Sequence, residues 1–361
     1  MDPAALVPQS YPITLPWGWF EVLMVATFVV HLLFMNTALG AAVIALVHSV
    51  TGADRLTPTA KDISKKLPTT LALTVNFGVA PLLFMQVLYG HIFYVSTMLM
   101  AAYWMAVIVL VILAYYASYL YDFRYDRLGN WRTLAIAVAV FMLLATSFMF
   151  STSTTMMLSP ETWTRWFDNP TGTLLNTADP IFFPRWLHFL TASLAVGGLA
   201  LAILNERRAR RQELGSAGHA GARARVREGM RWFSWASVAQ LFFGIWFLLS
   251  LKTEVMALFM GGSIGHTVLL LVALAGVATI LILGFRGAPY PAAAALVATI
   301  CVMATMRELV RMAYLAPYFK PGDMQVVSQY SPLVLFLATL AVGLVAVVWV
   351  LRQAALAGRE G

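Results

Sequence analysis

Charge is scarce in this chain. Of its 361 residues only 11% are charged, where soluble domains carry roughly 25%. No polar stretch is long enough to build a soluble domain; the longest, Glu206–Glu228, falls short of one. Cysteine is nearly absent too. The single Cys301 allows no disulfide within the chain, and without a Cys-x-x-Cys-His motif there is no covalent heme attachment. Iron–sulfur ligation is excluded on the same count. The first residues, MDPAALVPQSYPITLPWGW, lack the basic region and short apolar core of a cleaved signal peptide, so the first span is expected to serve as an uncleaved one. No basic patch is interleaved with aromatics, which argues against nucleic acid as a partner.

What is present is hydrocarbon: 60% of residues are hydrophobic, with a mean hydropathy of +0.78. A spanning helix needs about 20 apolar residues. Nine runs qualify: Trp17–His48, Leu67–Ser96, Thr97–Tyr121, Thr133–Leu158, Ile181–Leu204, Trp232–Leu251, Gly262–Phe285, Ala292–Tyr314 and Ser331–Val350. The fold class is therefore all-α, a polytopic transmembrane helical bundle forming a single integral membrane domain over residues 1–361. It divides into an outer segment 1–16, spans one to five in 17–204, a basic loop at 205–231 and spans six to nine with a tail in 232–361. No internal repeat is evident.

Basic residues set the orientation. Arg55, Lys61, Lys65 and Lys66 follow span one; Arg124, Arg127 and Arg132 follow span three. Eight arginines, from Arg207 to Arg231, follow span five. Arg286 follows span seven, and Arg352 and Arg359 follow span nine. This puts 18 of the 24 basic residues on one side. That side is expected to be cytoplasmic, with the N-terminus outside, in a bacterial inner membrane. The formal charge of +8 is orientation charge.

Ile181–Asn205 is long enough to span, yet carries His188 about two turns from its start. Three other spans carry His31, His91 and His266. At 1.5 Å rise per residue, His188 lies roughly 10 Å in from its end of the span and His91 about 8 Å from the end of span two. His266 lies about one turn into span seven, and His31 nearer mid-membrane. Imidazoles on separate helices of a bundle are how b-type heme is held. Each could instead bond a serine, a carbonyl or water between helices, or mark a proton path. His48 and His219 are expected to be interfacial and solvated. Span eight, CVMATMRELVRMAYL, adds Arg307, Glu308 and Arg311. The arginines suit heme propionates; Glu308 suits either an iron or an ion pair with Arg311 one turn away.

These residues also resemble subunit I of the cytochrome bd-type quinol oxidases. The likeness lies in FVVHLLFMNTALG of span one, NFGVAPLLFMQVLYG of span two, Asp126-Arg-Leu-Gly129 after span three, span five with His188, and Glu308-Leu-Val-Arg311. The resemblance implies two or three hemes b. One would be ligated by His188 and, where the family has methionine, by His266. His31 and Glu308 would serve the family's second heme pair, with His91 available to close a six-coordinate iron with His31. Two features depart from the family. Lys252–Gly261 is short where the family has a long quinol-binding loop, and span three has no glutamate. The expectation is thus an electron-transfer subunit of an oxidoreductase complex, working between membrane quinol and an outer-face partner such as a c-type cytochrome. A shortened bd-type oxygen reductase and a heme-free transporter or structural subunit are the alternatives.

Overall fold

All nine apolar runs form helices long and apolar enough to cross a membrane. The computed structural model describes residues 3–51, 57–129 and 131–360; Arg55 and the side chain of Arg359 lie outside the described residues. The helices are α1 (Trp17–Thr51), α2 (Pro58–Ser64), α3 (Leu67–Leu99), α4 (Ala101–Phe123), α5 (Trp131–Leu158), α6 (Phe182–Ala209), α7 (Ala217–Leu249), α8 (Thr253–Ala257), α9 (Ile264–Phe285), α10 (Pro289–Leu315) and α11 (Ser331–Glu360). All but α2 and α8 are spans. The chain is a multi-pass membrane protein, and its outer surface agrees. On α4, Met105, Ile108, Val109, Ile112 and Tyr116 are exposed at three- and four-residue steps, an apolar stripe that suits lipid.

One boundary differs from the sequence expectation. The basic stretch 205–231 is largely helical, because α6 runs on to Ala209 and α7 begins at Ala217. Ser216 caps α7, its Oγ accepting from the His219 amide at 3.1 Å. Alanines 217, 220, 222 and 224 then favour helix. Glu206, buried between the two helices, pairs with Arg210 at 3.0 Å and Arg223 at 2.6 Å. His219 is not idle: its Nδ1–H donates to the Ala209 carbonyl at 3.1 Å, a C-terminal cap for α6. Nearby on the same face, Lys61 meets Asp126 at 2.8 Å and holds its carboxyl below the ordinary range.

A repeat invisible in the sequence organises the bundle. Helices α1 and α6 run side by side with a constant offset. Asn36 accepts from the Ser193 hydroxyl at 2.8 Å, and Gly40 lies against Ser193 and Gly197, so close that a Cβ on Gly197 would stand 2.6 Å from the backbone of Gly40. Moved five residues back from Asn36 and Ser193, the same offset pairs His31 with His188. Each helix then packs on its successor, α1 on α3 and α6 on α7. In the same order, α4 packs on α5 and α9 on α10, while α5 contacts α1 and α10 contacts α6. The contacts between halves, α1 with α10 and α5 with α6, mirror each other. The molecule is thus two four-helix units, α1/α3/α4/α5 and α6/α7/α9/α10, related about the α1–α6 crossing. Helix α11 lies outside both, with Phe336 edge-on to Phe84.

The segment 159–180 is folded onto one end of the bundle. Trp163 is buried and its indole donates to the Met156 carbonyl at 2.9 Å. The Leu99 carbonyl accepts from Leu174 at 3.1 Å, tying the segment to the tight α3–α4 hairpin.

Candidate functional site

The two histidines related by the offset are held in the same way. His31 Nδ1 lies 3.0 Å from the Thr74 carbonyl of α3, and His188 Nδ1 lies 3.1 Å from the Gln240 carbonyl of α7. A carbonyl only accepts, so in both rings Nδ1 carries the proton and a neutral ring has its lone pair on Nε2. Neither Nε2 has a hydrogen-bond partner among the described residues. Four residues past each carbonyl stands a glycine. A Cβ on Gly78 would sit 2.9 Å from the His31 ring, and one on Gly244 would sit 3.1 Å from the His188 ring. Each imidazole is therefore oriented by a backbone acceptor on the neighbouring helix and admitted by a missing side chain.

At this level α5 and α6 are less deeply buried than elsewhere. Residues 186–192 of α6 and 142–149 of α5 are all half-buried, whereas most of α6 from Ser193 to Ala202 is fully buried.

A charge cluster begins about one turn away on the N-terminal side and extends about two further turns toward that end. The Arg307 guanidinium stacks at 4.2 Å on Phe28, whose ring is 6.3 Å from that of His31. Arg185 precedes His188 by three residues and is buried. Glu308 has one oxygen 2.7 Å from Arg307 and the other on Arg311. Arg311 stacks at 5.2 Å on the Tyr89 ring. Glu21 lies within electrostatic reach of Arg307, Glu308 and Arg311. Formally the cluster holds three cations and two anions, and it is not closed. Both Glu21 oxygens, Tyr89 Oη, Arg185 Nη1, Arg307 Nε, and Arg311 Nε and Nη2 are buried without a partner in the described structure. Each such group costs about 1–3 kcal/mol if left unmet.

The remaining candidates sit apart from this centre. His266, three residues into α9, has Nδ1 2.9 Å from Ser263 Oγ and its ring edge-on to Phe259 at 5.1 Å. Helices α6 and α9 occupy a diagonal of the second unit, each packed on α7 and α10, so His188 and His266 belong to opposite walls. The first unit has no histidine on α4, the counterpart of α9. His91 does not supply one. It lies thirteen residues beyond Gly78 on α3, about 20 Å along the axis, edge-on to Phe319 at 4.4 Å with Nε2 buried. The structure therefore does not bring His31 and His91 to one iron.

Glu21, Tyr89 and Arg185 escaped the sequence reading as site residues. Glu21, an acid in the first span, was the available signal.

Among the described residues no three His, Cys, Asp or Glu side chains come together, so a bare metal ion has no cage. A porphyrin asks less of the protein: one or two axial nitrogens, room, and cations for its carboxylates. His188, His31, the half-buried helix segments around them and the unmet arginine donors fit that demand. Comparison with known proteins gives no matching family model and no similar curated protein.

Proposed function

We propose that this chain is the heme b-binding membrane subunit of a respiratory complex, of bd-oxidase-like fold. It would carry electrons between membrane quinol and an outer-face partner such as a c-type cytochrome. The observation behind this reading is the twin arrangement of His31 and His188: same level, same backbone anchor, same glycine clearance, same unoccupied Nε2. A histidine satisfied merely as core needs no glycine cut to its ring, and two related ones need it less. Backbone-anchored Nδ1 is the usual outer-shell arrangement of metal-ligating histidine.

His188 would hold one heme from α6, with His266 facing it from α9. His31 would hold the second from α1. Arg185, Arg307 and Arg311 would receive propionates, with Glu308 keeping two of those guanidiniums in place. When bound, heme supplies one-electron chemistry, and the protein sets its potential through ligands and burial. The chain's own contribution is to fix the imidazole tautomer, exclude water and balance charge. We place the N-terminal face outside and the arginine-rich face in the cytoplasm, since positive charge is retained inside.

A pyridine hemochrome assay on the purified chain tests this. Two hemes b per chain are expected, and no Soret band would sink the proposal. His188→Ala and His266→Ala should each abolish the same low-spin signal; loss of different signals would break their pairing.

One observation favours a second reading, a shortened oxygen reductase. With His91 about 20 Å away along α3 and His48 about 25 Å away along α1, His31 has no second imidazole at its level in its unit. A Soret shift on adding carbon monoxide to the reduced protein, lost in His31→Ala, would support that reading; an unaltered spectrum would dismiss it.

A further inference from the structure

Between α1 and α7, on the arginine-rich half of the molecule, lies a groove of about 670 Å³. Leu194 of α6 contributes its floor. Glu228, Arg231, Trp232 and Trp235 line it from one face of α7, since they recur at three- and four-residue steps. At its polar end His48 of α1 reaches across to the Glu228 carboxylate, which also accepts from the Thr59 hydroxyl at 3.1 Å. The apolar run of α7 begins at Trp232, so this pair sits where the helix passes from polar to apolar surroundings. At the other end, Leu194 is six residues past His188, and Ala236 is four before Gln240, the residue that anchors the His188 ring. Those steps are roughly 9 Å and 6 Å along the helices.

We propose that this groove binds the ring of a membrane quinol, a benzo- or naphthoquinol with an apolar tail. The argument rests on complementarity. His48 donates from Nε2 to Glu228, so a neutral ring offers Nδ1 as an acceptor, and the carboxylate is a second acceptor beside it. A quinol presents two hydroxyl donors. Arg231 offers donors that suit the carbonyls of the oxidised ring. Trp232 and Trp235 provide flat apolar faces, and Trp235 is 65% exposed, so the groove opens to the bilayer from which such a molecule would enter. An acidic phospholipid headgroup fits worse, because Glu228 would meet its phosphate with like charge. The site supplies the quinol that the functional proposal needs, and on that point it rests on that proposal; binding itself does not.

The test uses the purified full chain in nanodiscs of phosphatidylcholine, with decyl-benzoquinone as probe and quenching of tryptophan fluorescence as readout. Saturable quenching is expected, largely lost in the Trp232→Phe, Trp235→Phe double variant. Glu228→Gln should weaken binding about tenfold, the cost of a charge-assisted hydrogen bond. Leu194→Phe should weaken it by filling the floor while leaving the His48–Glu228 hydrogen bond intact. An unaltered size-exclusion profile establishes that each variant is folded. Non-saturable quenching, or equal binding by Glu228→Gln and Leu194→Phe, would overturn the proposal. So would displacement of the quinone by phosphatidylglycerol in the native chain but not in Arg231→Gln, which would make this a lipid site. A chain that binds the quinone yet shows no Soret band would defeat the heme reading alone.

Discussion

An imidazole becomes a ligand by having its other nitrogen engaged, and that is a matter of single backbone atoms. The carbonyls of Thr74 and Gln240 select the tautomers of His31 and His188, and the glycines four residues on let the rings lie against the neighbouring helix. The two clearances are separable. Gly244→Leu should displace the His188 ring and remove the low-spin heme, leaving the His31 heme. Gly78→Leu should do the reverse. Reduced-minus-oxidised difference spectra of both variants check this; loss of both hemes from either variant, with the chain still folded, would show that the rings do not hold separate hemes. The histidines were legible in the sequence as candidates. Their anchors were not, because a carbonyl acceptor belongs to whichever residue the fold brings near, and Thr74 and Gln240 have nothing in type to mark them. Glu308 was legible with two roles, and its geometry gives both oxygens to arginines.

At the scale of helices, the nine apolar runs were readable because spanning requires length and hydrocarbon, and both are sequence properties. The extension of α7 to Ala217 was not readable by that rule, since it is a polar helix held by a serine cap and by Glu206. The repeat was hidden for a different reason. In a membrane any apolar side chain serves on the lipid face, so the two halves share only a few matched positions: His31 with His188, Gly40 with Gly197, and Gly78 with Gly244. The α1–α6 crossing depends on small residues, as helix association in lipid does. Gly40→Leu would drive a side chain into the Ser193 carbonyl and should prevent stable assembly. Asn36→Leu removes one interhelical hydrogen bond and should cost only about 1 kcal/mol. Denaturation in mixed micelles distinguishes the two; equal losses would mean the crossing is not the element that joins the halves.

At the scale of the whole molecule, the two units are joined by the core contacts between α1, α5, α6 and α10 and by the segment 159–181, while a short turn at 210–216 links α6 to α7 within the second unit. That turn carries Arg210 and Arg211, and Arg210 is 63% exposed at its side chain despite pairing with Glu206. Gly215 turns the chain there with φ of 85°, a left-handed conformation that glycine adopts at no steric cost. Nothing buried needs the turn to be continuous. Trypsin should therefore cut it in inside-out membrane vesicles and leave it intact in right-side-out ones, if the arginine-rich face is cytoplasmic. The two fragments, α1–α6 and α7–α11, should then stay together through detergent extraction and gel filtration, because α7 packs along α6 with Gly198 and Gly229 in close backbone approach, and α10 packs on α1 and α6. Cleavage from the opposite side would reverse the orientation. Cleavage followed by separation of the fragments would mean that the turn, and not the packing of α7 on α6, holds them together.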